Sequence, residues 1–261
     1  MTNESPADGA LRNRLRQAAE LLLAARHRLL PIADLPLELR PKTLAEAYFV
    51  QDVLLQALGG AGGWKVGLPA PGATPLCSPM PVHTIAANGA RIASRFRRMR
   101  GVEAEIAFLM NRDLPPRDSP YSREEVLDAV ASCHPAIEIL ESGILDPTAA
   151  HRLTGIADLQ MNGGFVFGEA LPDWRRIDFA AETAEMVIDG AVRVANGKSP
   201  AAGDLIGLAV WLANEGQPRT GGRLAGKWIT TGSWTGSIPA GETSEVLARF
   251  QQCGSAALRF R

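Results

Sequence analysis

VEAEI, residues 102–106 at the head of the strand-like run VEAEIAFLM (102–110), alternates in character with the period of two that a β-strand imposes, because successive side chains leave opposite faces. Glu103 and Glu105 therefore share one face, and Val102, Ala104 and Ile106 the other. Two residues along a strand advance about 7 Å, so both carboxylate heads can converge on one small ion. AIEILES, residues 136–142, repeats the device: Glu138 points away from Ile137 and Ile139 in an otherwise apolar run. If these strands are neighbours, three glutamates share a centre. Alternating glutamate more often marks a solvent-facing strand surface, and spacing alone favours that plainer reading. Against it, like charges side by side repel, and a solvent face normally mixes basic and hydroxylated residues with its acids. Converging carboxylates would select a hard divalent cation, magnesium, manganese or calcium, over zinc. Three carboxylates on an octahedral ion leave up to about three positions, room for a bidentate substrate.

Around this pair lie further short stretches rich in β-branched and aromatic residues: GFVFG (164–168), EMVIDGAVRVANG (185–197), KWITT (227–231), EVLARF (245–250) and AALRF (256–260). Asp189-Gly190 supplies the two positive-φ positions of a type I′ turn, which predicts a hairpin. Upstream the period changes. Leu11, Leu15, Ala18, Leu21, Leu22 and Ala25 recur at helical spacing, predicting an amphipathic helix from about Ala7 to Arg28. Thr43 is placed to cap a second helix, LAEAYFVQDVLLQAL, which Gly59 and Gly60 stop. Residues 64–82 hold too much proline and glycine for a helix and read as a short strand followed by an extended loop. Two helices interrupt the strands: REEVLDAVAS (123–132), and SPAAGDLIGLAVWLANEG (199–216), with Ser199 as N-cap, Pro200 at the first position and Gly216 as stop. The expected architecture is α+β, with a helical N-terminal region over residues 1–63 and a β-rich catalytic domain over residues 64–261.

Composition removes several function classes. Lys+Arg number 27 against 28 for Asp+Glu, a net charge of -1 that offers nucleic acid or an acidic membrane surface nothing to hold. Hydrophobic residues at 46% against 21% charged suffice to bury a core. Cys77, Cys133 and Cys253 form no CxxC pair, which argues against a disulfide framework or a thiolate zinc site. The N-terminal stretch is polar and then repeats arginine through its apolar part, unlike a secretory signal. The longest apolar run, Leu205 to Ala213, is about half the length of a bilayer span. A cytoplasmic protein is expected, with neither nucleic acid nor membrane as partner.

GWKVGL (63–68), GVEAEIAFLMNRDLP (101–115), HPAIEILES (134–142), GDLIGLAVWLANE (203–215) and ITTGSWTG (229–236), in this order, resemble the fumarylacetoacetate hydrolase superfamily, most of all its 2-keto-4-pentenoate hydratase and 4-oxalocrotonate decarboxylase branch. The resemblance runs from about Leu44 to the C-terminus. It implies a mixed β-roll core behind the helical region, a Mg2+ or Mn2+ ion, a small 2-oxo or 2-enol acid as substrate, and a homo-oligomer to which the two N-terminal helices could lend an apolar interface. By motif match, Glu103, Glu105 and Glu138 would hold the metal, and Lys65 of GWKVG would be the active-site lysine. The loop from Thr230 to Gly236 would meet the substrate carboxylate, with Thr231, Gly232 and Ser233 as its candidates. Asp158, kept from the family's A-D-N-A-S stretch, is a further catalytic candidate. Such an ion would act as a Lewis acid toward a 2-oxo acid, and Lys65 could pair with substrate or relay a proton if burial lowers its pKa.

The chain departs from the family pattern in three places. Leu159-Gln160-Met161 follows Asp158 where an asparagine and small residues are usual, Glu141-Ser142-Gly143 lacks the arginine of D-S-R, and the loop after GWKVGL lacks the acidic D-Q-P-D-F-G pattern. These changes alter the expected pocket. His134 stands four residues before Glu138, so alternation puts it on the same face, where an acid/base role and a structural role at the strand entry are both open. No G-x-S-x-G elbow, P-loop or helix-opening G-x-G-x-x-G is present. The expected activity is that of a metal-dependent hydratase, a lyase adding water to a 2-hydroxy-2,4-dienoate. The alternatives are a decarboxylase of a 2-oxo-3-enedioate, an acylpyruvate-type C–C bond hydrolase, and a catalytically silent scaffold. A hydrolase needs a water-activating base, usually a His–Glu pair, so His134 turned away from Glu138 would count against it.

Overall fold

In the computed structural model, which describes residues 6–70, 72–199 and 204–261, the chain opens with helices α1 (Pro6–Arg28) and α2 (Leu44–Ala57). Thr43 caps α2 as expected, its hydroxyl accepting from the Glu46 N–H. There follow β1 (Ala61–Gly67), β2 (Leu76–Pro81), β3 (Ile85–Ala87), β4 (Ala90–Ile92), β5 (Gly101–Met110), α3 (Arg123–Asp128), β6 (Val130–Leu140), α4 (Arg152–Ala157) and β7 (Asn162–Phe167). The rest comprises β8 (Ala184–Ile188), β9 (Ala191–Gly197), α5 (Leu205–Asn214), α6 (Gln217–Thr220), β10 (Trp228–Thr230), β11 (Ile238–Pro239), β12 (Glu245–Phe250) and β13 (Ser255–Phe260).

The strands form two mixed sheets. One runs β2-β1-β10-β5-β6-β7-β3, with β11 also on β5; the other runs β4-β13-β12-β8-β9. β1 is parallel to β10, β3 to β7 and β4 to β13, and the remaining pairs are antiparallel. Val102, Ala104, Ile106 and Phe108 of β5, with Ile137 and Ile139 of β6, bury the inner face of the first sheet in one core with Met186, Val246, Leu258 and Phe260 of the second. This alternation leaves Glu103, Glu105 and Glu138 on the opposite face. A separate core joins Leu15, Ala18 and Leu22 of α1 and Val50 and Leu54 of α2 to Ile144, Ile156 and Leu159. Much of the apolar helix surface expected to be free for a second copy is thus buried within the chain.

The structure redraws several elements. Residues 76–81, expected as loop, form β2; it is the edge strand, where Pro79 and Pro81 cost little because edge backbone needs no second partner. The helix expected over 123–132 stops at Asp128, capped by a Ser122–Glu125 box, and Val130 to Ser132 open β6. Pairing with β5 along most of its length overrides the helical period there. α5 begins at Leu205, and its cap is Asp204, which accepts from the Gly207 N–H, rather than Ser199; Pro200 lies outside the described residues. The hairpin forms as expected, with Asp189 at φ 54° and Gly190 at φ 75°. Among the described residues no helix is long and apolar enough to cross a membrane.

Candidate active site

Four adjacent strands, β1, β10, β5 and β6, bring the polar residues together. Lys65 stands opposite Thr230, Thr230 opposite Ala107, Glu103 opposite Glu138, and Glu105 opposite Ala136. β10 pairs with the later half of β5 and β11 with its start, so the chain between them must loop over the middle of β5. That loop is TGSWTG. Its Gly232 N–H donates to Glu105 Oε2 at 3.0 Å, its Trp234 N–H to the Ala104 carbonyl at 2.8 Å, and its Thr235 hydroxyl accepts from the Ala104 N–H at 3.1 Å. Gly232 sits at φ 92°, which a residue with a Cβ seldom adopts.

The glutamates are not a solvent face. Glu105 and Glu138 are buried and Glu103 is half-buried, and one oxygen from each lies within 4.8 Å of the others. Burial, then the charge of Glu138, pushes Glu103 up to about 7 against the opposing ammonium of Lys65. Burial and the two neighbouring carboxylates hold Glu105 well above the usual carboxylate range. Lys65 Nζ donates to Glu138 Oε1 at 2.8 Å and to the Gln160 carbonyl at 3.1 Å. Burial alone would pull this ammonium down, but the three carboxylates outweigh it and hold it above its ordinary value. Without an ion, Lys65 is therefore a charged partner of the carboxylate cluster. Asn162 Nδ2 also donates to Glu138 Oε1, at 2.9 Å, and the Thr230 hydroxyl donates to Glu105. Glu138 Oε2 is buried without a partner. An orphaned carboxylate oxygen within an all-oxygen cluster of three acids is a donor set that fits a hard divalent cation.

The cluster opens into a cleft of about 380 Å³. Lys65, Glu103, Glu105, Gln160 and Ser233 are its polar lining, and Val66, Leu68, Pro69, Leu76, Leu140 and Met161 its apolar lining. The Ser233 hydroxyl is buried and unpaired, whereas the Gly232 N–H is committed to Glu105. Among the described residues that line the cleft, Lys65 is the one cation.

Three residues expected at the site are not brought into the cleft. Thr231 donates its hydroxyl to the Ile106 carbonyl at 2.7 Å and is buried. Asp158 is buried and engaged by Arg26 Nε at 2.5 Å, the Ser142 hydroxyl at 2.5 Å and the Gly143 N–H at 2.9 Å. His134 shares the face of Glu138, as alternation requires, but four residues of strand separate them by about 13 Å. Its Nδ1 donates to the Gly168 carbonyl at 2.8 Å, which leaves Nε2 to accept from Ser132 Oγ at 2.7 Å. It packs against Trp228 and Phe167, and burial pulls its pKa down. Thr230, expected only as the start of the substrate loop, instead serves Glu105; alternation within KWITT sets it on the face opposite Thr231. The sequence marks Leu159-Gln160-Met161 as a departure from the family pattern, but neither the role of Asn162 nor the path of the turn before it is legible there. Leu159, Gln160 and Met161 stand at φ 53°, 48° and 64°, three consecutive left-handed residues without a glycine. Each costs about 1–2 kcal/mol in isolation, so neighbours must hold the turn.

No family model matches the chain. Among curated proteins, a 2-keto-4-pentenoate hydratase of Paraburkholderia phymatum is 28% identical over 160 residues, and one of Burkholderia vietnamiensis is 29% identical over 160 residues. Each match covers 61% of this chain and 60% of the relative, so the similarity spans less than two thirds of either curated protein. Among solved structures, 4-oxalocrotonate decarboxylase from Pseudomonas putida G7, complexed with magnesium and adipate, superposes with a TM-score of 0.79 over 96% of this chain and 98% of that one, at 23% identity. Fumarylacetoacetate hydrolase from Exiguobacterium antarcticum gives a TM-score of 0.57 over 78% and 76% of the two chains, at 13% identity. The chain has the fold of 4-oxalocrotonate decarboxylase and of fumarylacetoacetate hydrolase, and over 160 residues it is similar in sequence to two 2-keto-4-pentenoate hydratases.

Proposed function

We propose that this chain is a divalent-metal-dependent hydratase, a lyase that adds water to a 2-hydroxy-2,4-dienoate carrying one carboxylate. The observation that carries the reading is the carboxylate cluster beside a largely apolar cleft: Glu103, Glu105 and Glu138 stand together, and the cleft onto which Lys65, Glu103 and Glu105 open is lined otherwise mainly by Val66, Leu68, Pro69, Leu76, Leu140 and Met161. Glu103, Glu105 and Glu138 would hold the ion, Mg2+ or Mn2+, which when bound supplies Lewis acidity toward a 2-oxo acid. The magnesium in the Pseudomonas decarboxylase structure supports this choice of ion. The unpaired Ser233 hydroxyl can donate to the substrate carboxylate, and the Lys65 ammonium can donate to an anionic substrate oxygen. The apolar walls then receive the hydrocarbon end of a diene and exclude bulk water from it.

A 2-oxo-3-enedioate would instead bring a second carboxylate to the apolar walls. Burying an unpaired carboxylate there costs several kcal/mol, and Gly143 stands where the family pattern has an arginine. A hydrolase is disfavoured because the His134 ring is engaged by Ser132 and Gly168, far from Glu138. The test is calorimetric binding of oxalate, a planar mimic of the 2-enolate, with magnesium and with chelator, on wild type and Glu103→Gln, followed by turnover of 2-hydroxypenta-2,4-dienoate and 2-oxohex-3-enedioate. Magnesium-dependent binding lost in the variant, with water addition to the dienoate, is expected. Binding of oxalate in no condition would leave a silent scaffold, and preferred decarboxylation of the enedioate would replace the hydratase.

A further inference from the structure

The left-handed turn at Leu159–Met161 is held from outside the cleft. Arg26, near the end of α1, donates from Nη2 to the carbonyls of Asp158 at 2.7 Å and Glu141 at 3.0 Å, and from Nη1 to the carbonyl of Asn162 at 2.9 Å. Its Nε donates to Asp158 Oδ1. Asp158 and Asn162 flank the three left-handed residues, so one guanidinium bridges both ends of the turn and ties them to the end of β6. The clasp is nearly dry, with side-chain exposures of 9% for Arg26 and 0% for Asp158. The second Asp158 oxygen accepts from Ser142 and Gly143, which fixes the carboxylate from the other side.

What the turn delivers is the environment of the Lys65–Glu138 pair. The Gln160 carbonyl accepts from Lys65 Nζ, and the Asn162 side chain donates to Glu138 Oε1. Both contacts depend on the backbone path between Asp158 and Asn162, a path that Leu, Gln and Met do not favour by themselves. We infer that Arg26 is a positioning residue of the site: by clasping the turn it sets where Lys65 and Glu138 stand, and so tunes the carboxylate cluster for a divalent ion. The consequence for the ion rests on the function proposed above; the clasp itself does not.

The test uses the full chain as wild type, Arg26→Lys, Arg26→Gln and Arg26→Lys combined with Gln160→Gly. Amide hydrogen exchange of metal-free protein at residues 158–163 and calorimetric Mn2+ affinity are the readouts. Arg26→Lys is expected to accelerate exchange in that segment at least tenfold with β12 and β13 unchanged, and to weaken Mn2+ about tenfold or more, because the loosened turn carries the Asn162 amide that donates to Glu138, and loss of such an outer-shell partner costs about that much. Gln160→Gly is expected to restore both to within about threefold, because glycine takes positive φ without a Cβ penalty and the carbonyl that Lys65 uses belongs to the backbone. A merely structural arginine would not be rescued by a glycine in the turn. Unchanged exchange in folded Arg26→Lys, faster exchange with unchanged Mn2+ affinity, or no rescue overturns the inference. Arg26→Gln carries the same comparison if Arg26→Lys does not fold. Wild type that binds no Mn2+ overturns the metal reading instead, and the exchange and its rescue then decide the clasp by themselves.

Discussion

Lys65→Met is the perturbation on which the site's electrostatics make the sharpest demand. The ammonium is 2.8 Å from a fully buried carboxylate oxygen of Glu138, and it also opposes the charges of Glu103 and Glu105. Removing one partner of a buried pair costs about 3–5 kcal/mol, because the other charge is left without compensation. Lys65 retains 17% side-chain exposure, and Glu103, already pushed up to about 7, can take up a proton, so the lower end, about 3 kcal/mol, applies near neutral pH. For a chain of this length about 2 °C accompanies each kcal/mol, so metal-free Lys65→Met should melt about 6 °C below wild type. Scanning calorimetry of the metal-free protein in chelator checks this. A variant whose metal-free melting point is unchanged would refute this account of Lys65, whatever happened to turnover.

Further outcomes follow from the same geometry. Ser132→Ala removes a hydrogen bond to His134 remote from the cleft, so steady-state kinetics on the dienoate should stay within about twofold while the protein loses about 1 kcal/mol, near 2 °C in melting point; a large loss of kcat would return His134 to the chemistry. Leu68→Arg places a cation on the apolar wall of the cleft and should move relative kcat/KM from the monocarboxylate toward the enedioate by about tenfold, checked by competition between the two substrates. Glu125, held down to about 2 by its bidentate bond to Arg117 and the Ser122 N–H, has a folded-state pKa below its unfolded one. Its contribution is therefore complete above the ordinary carboxylate range and is lost as pH falls toward about 2, so the melting-point gap between wild type and Glu125→Gln should close over that window. A gap that stays constant through it would show that the pair contributes nothing.

Local periods make much of this protein legible in its sequence. Glu103, Glu105 and Glu138 announce a shared face because a strand repeats every two residues, and they form the cluster. Thr43 and Asp189-Gly190 do their expected work because capping and type I′ geometry need only adjacent residues. Alternation reports a face and not a distance, however. It assigned His134 correctly to the face of Glu138 and could not say that the intervening strand carries it out of the cleft. Val130 to Ser132 read as the end of a helix because their competing partner, β5, is remote in sequence.

The rest was decided by non-local pairing. The strand order β1-β10-β5-β6 sets Lys65 beside Thr230 and Glu103 opposite Glu138, and no short-range pattern encodes that order. Asp158 was visible as a polar residue in a matching stretch; that its carboxylate serves Arg26 could be learned only once α1 was seen against the sheet. Leu159-Gln160-Met161 has the composition of ordinary right-handed backbone, and its left-handed path exists because a guanidinium from α1 holds both ends. Sequence by itself determined which side chains share a face, since that depends on bond geometry between neighbours. The tertiary structure decided which faces meet and which groups are spent on holding the backbone, since those contacts join residues far apart along the chain.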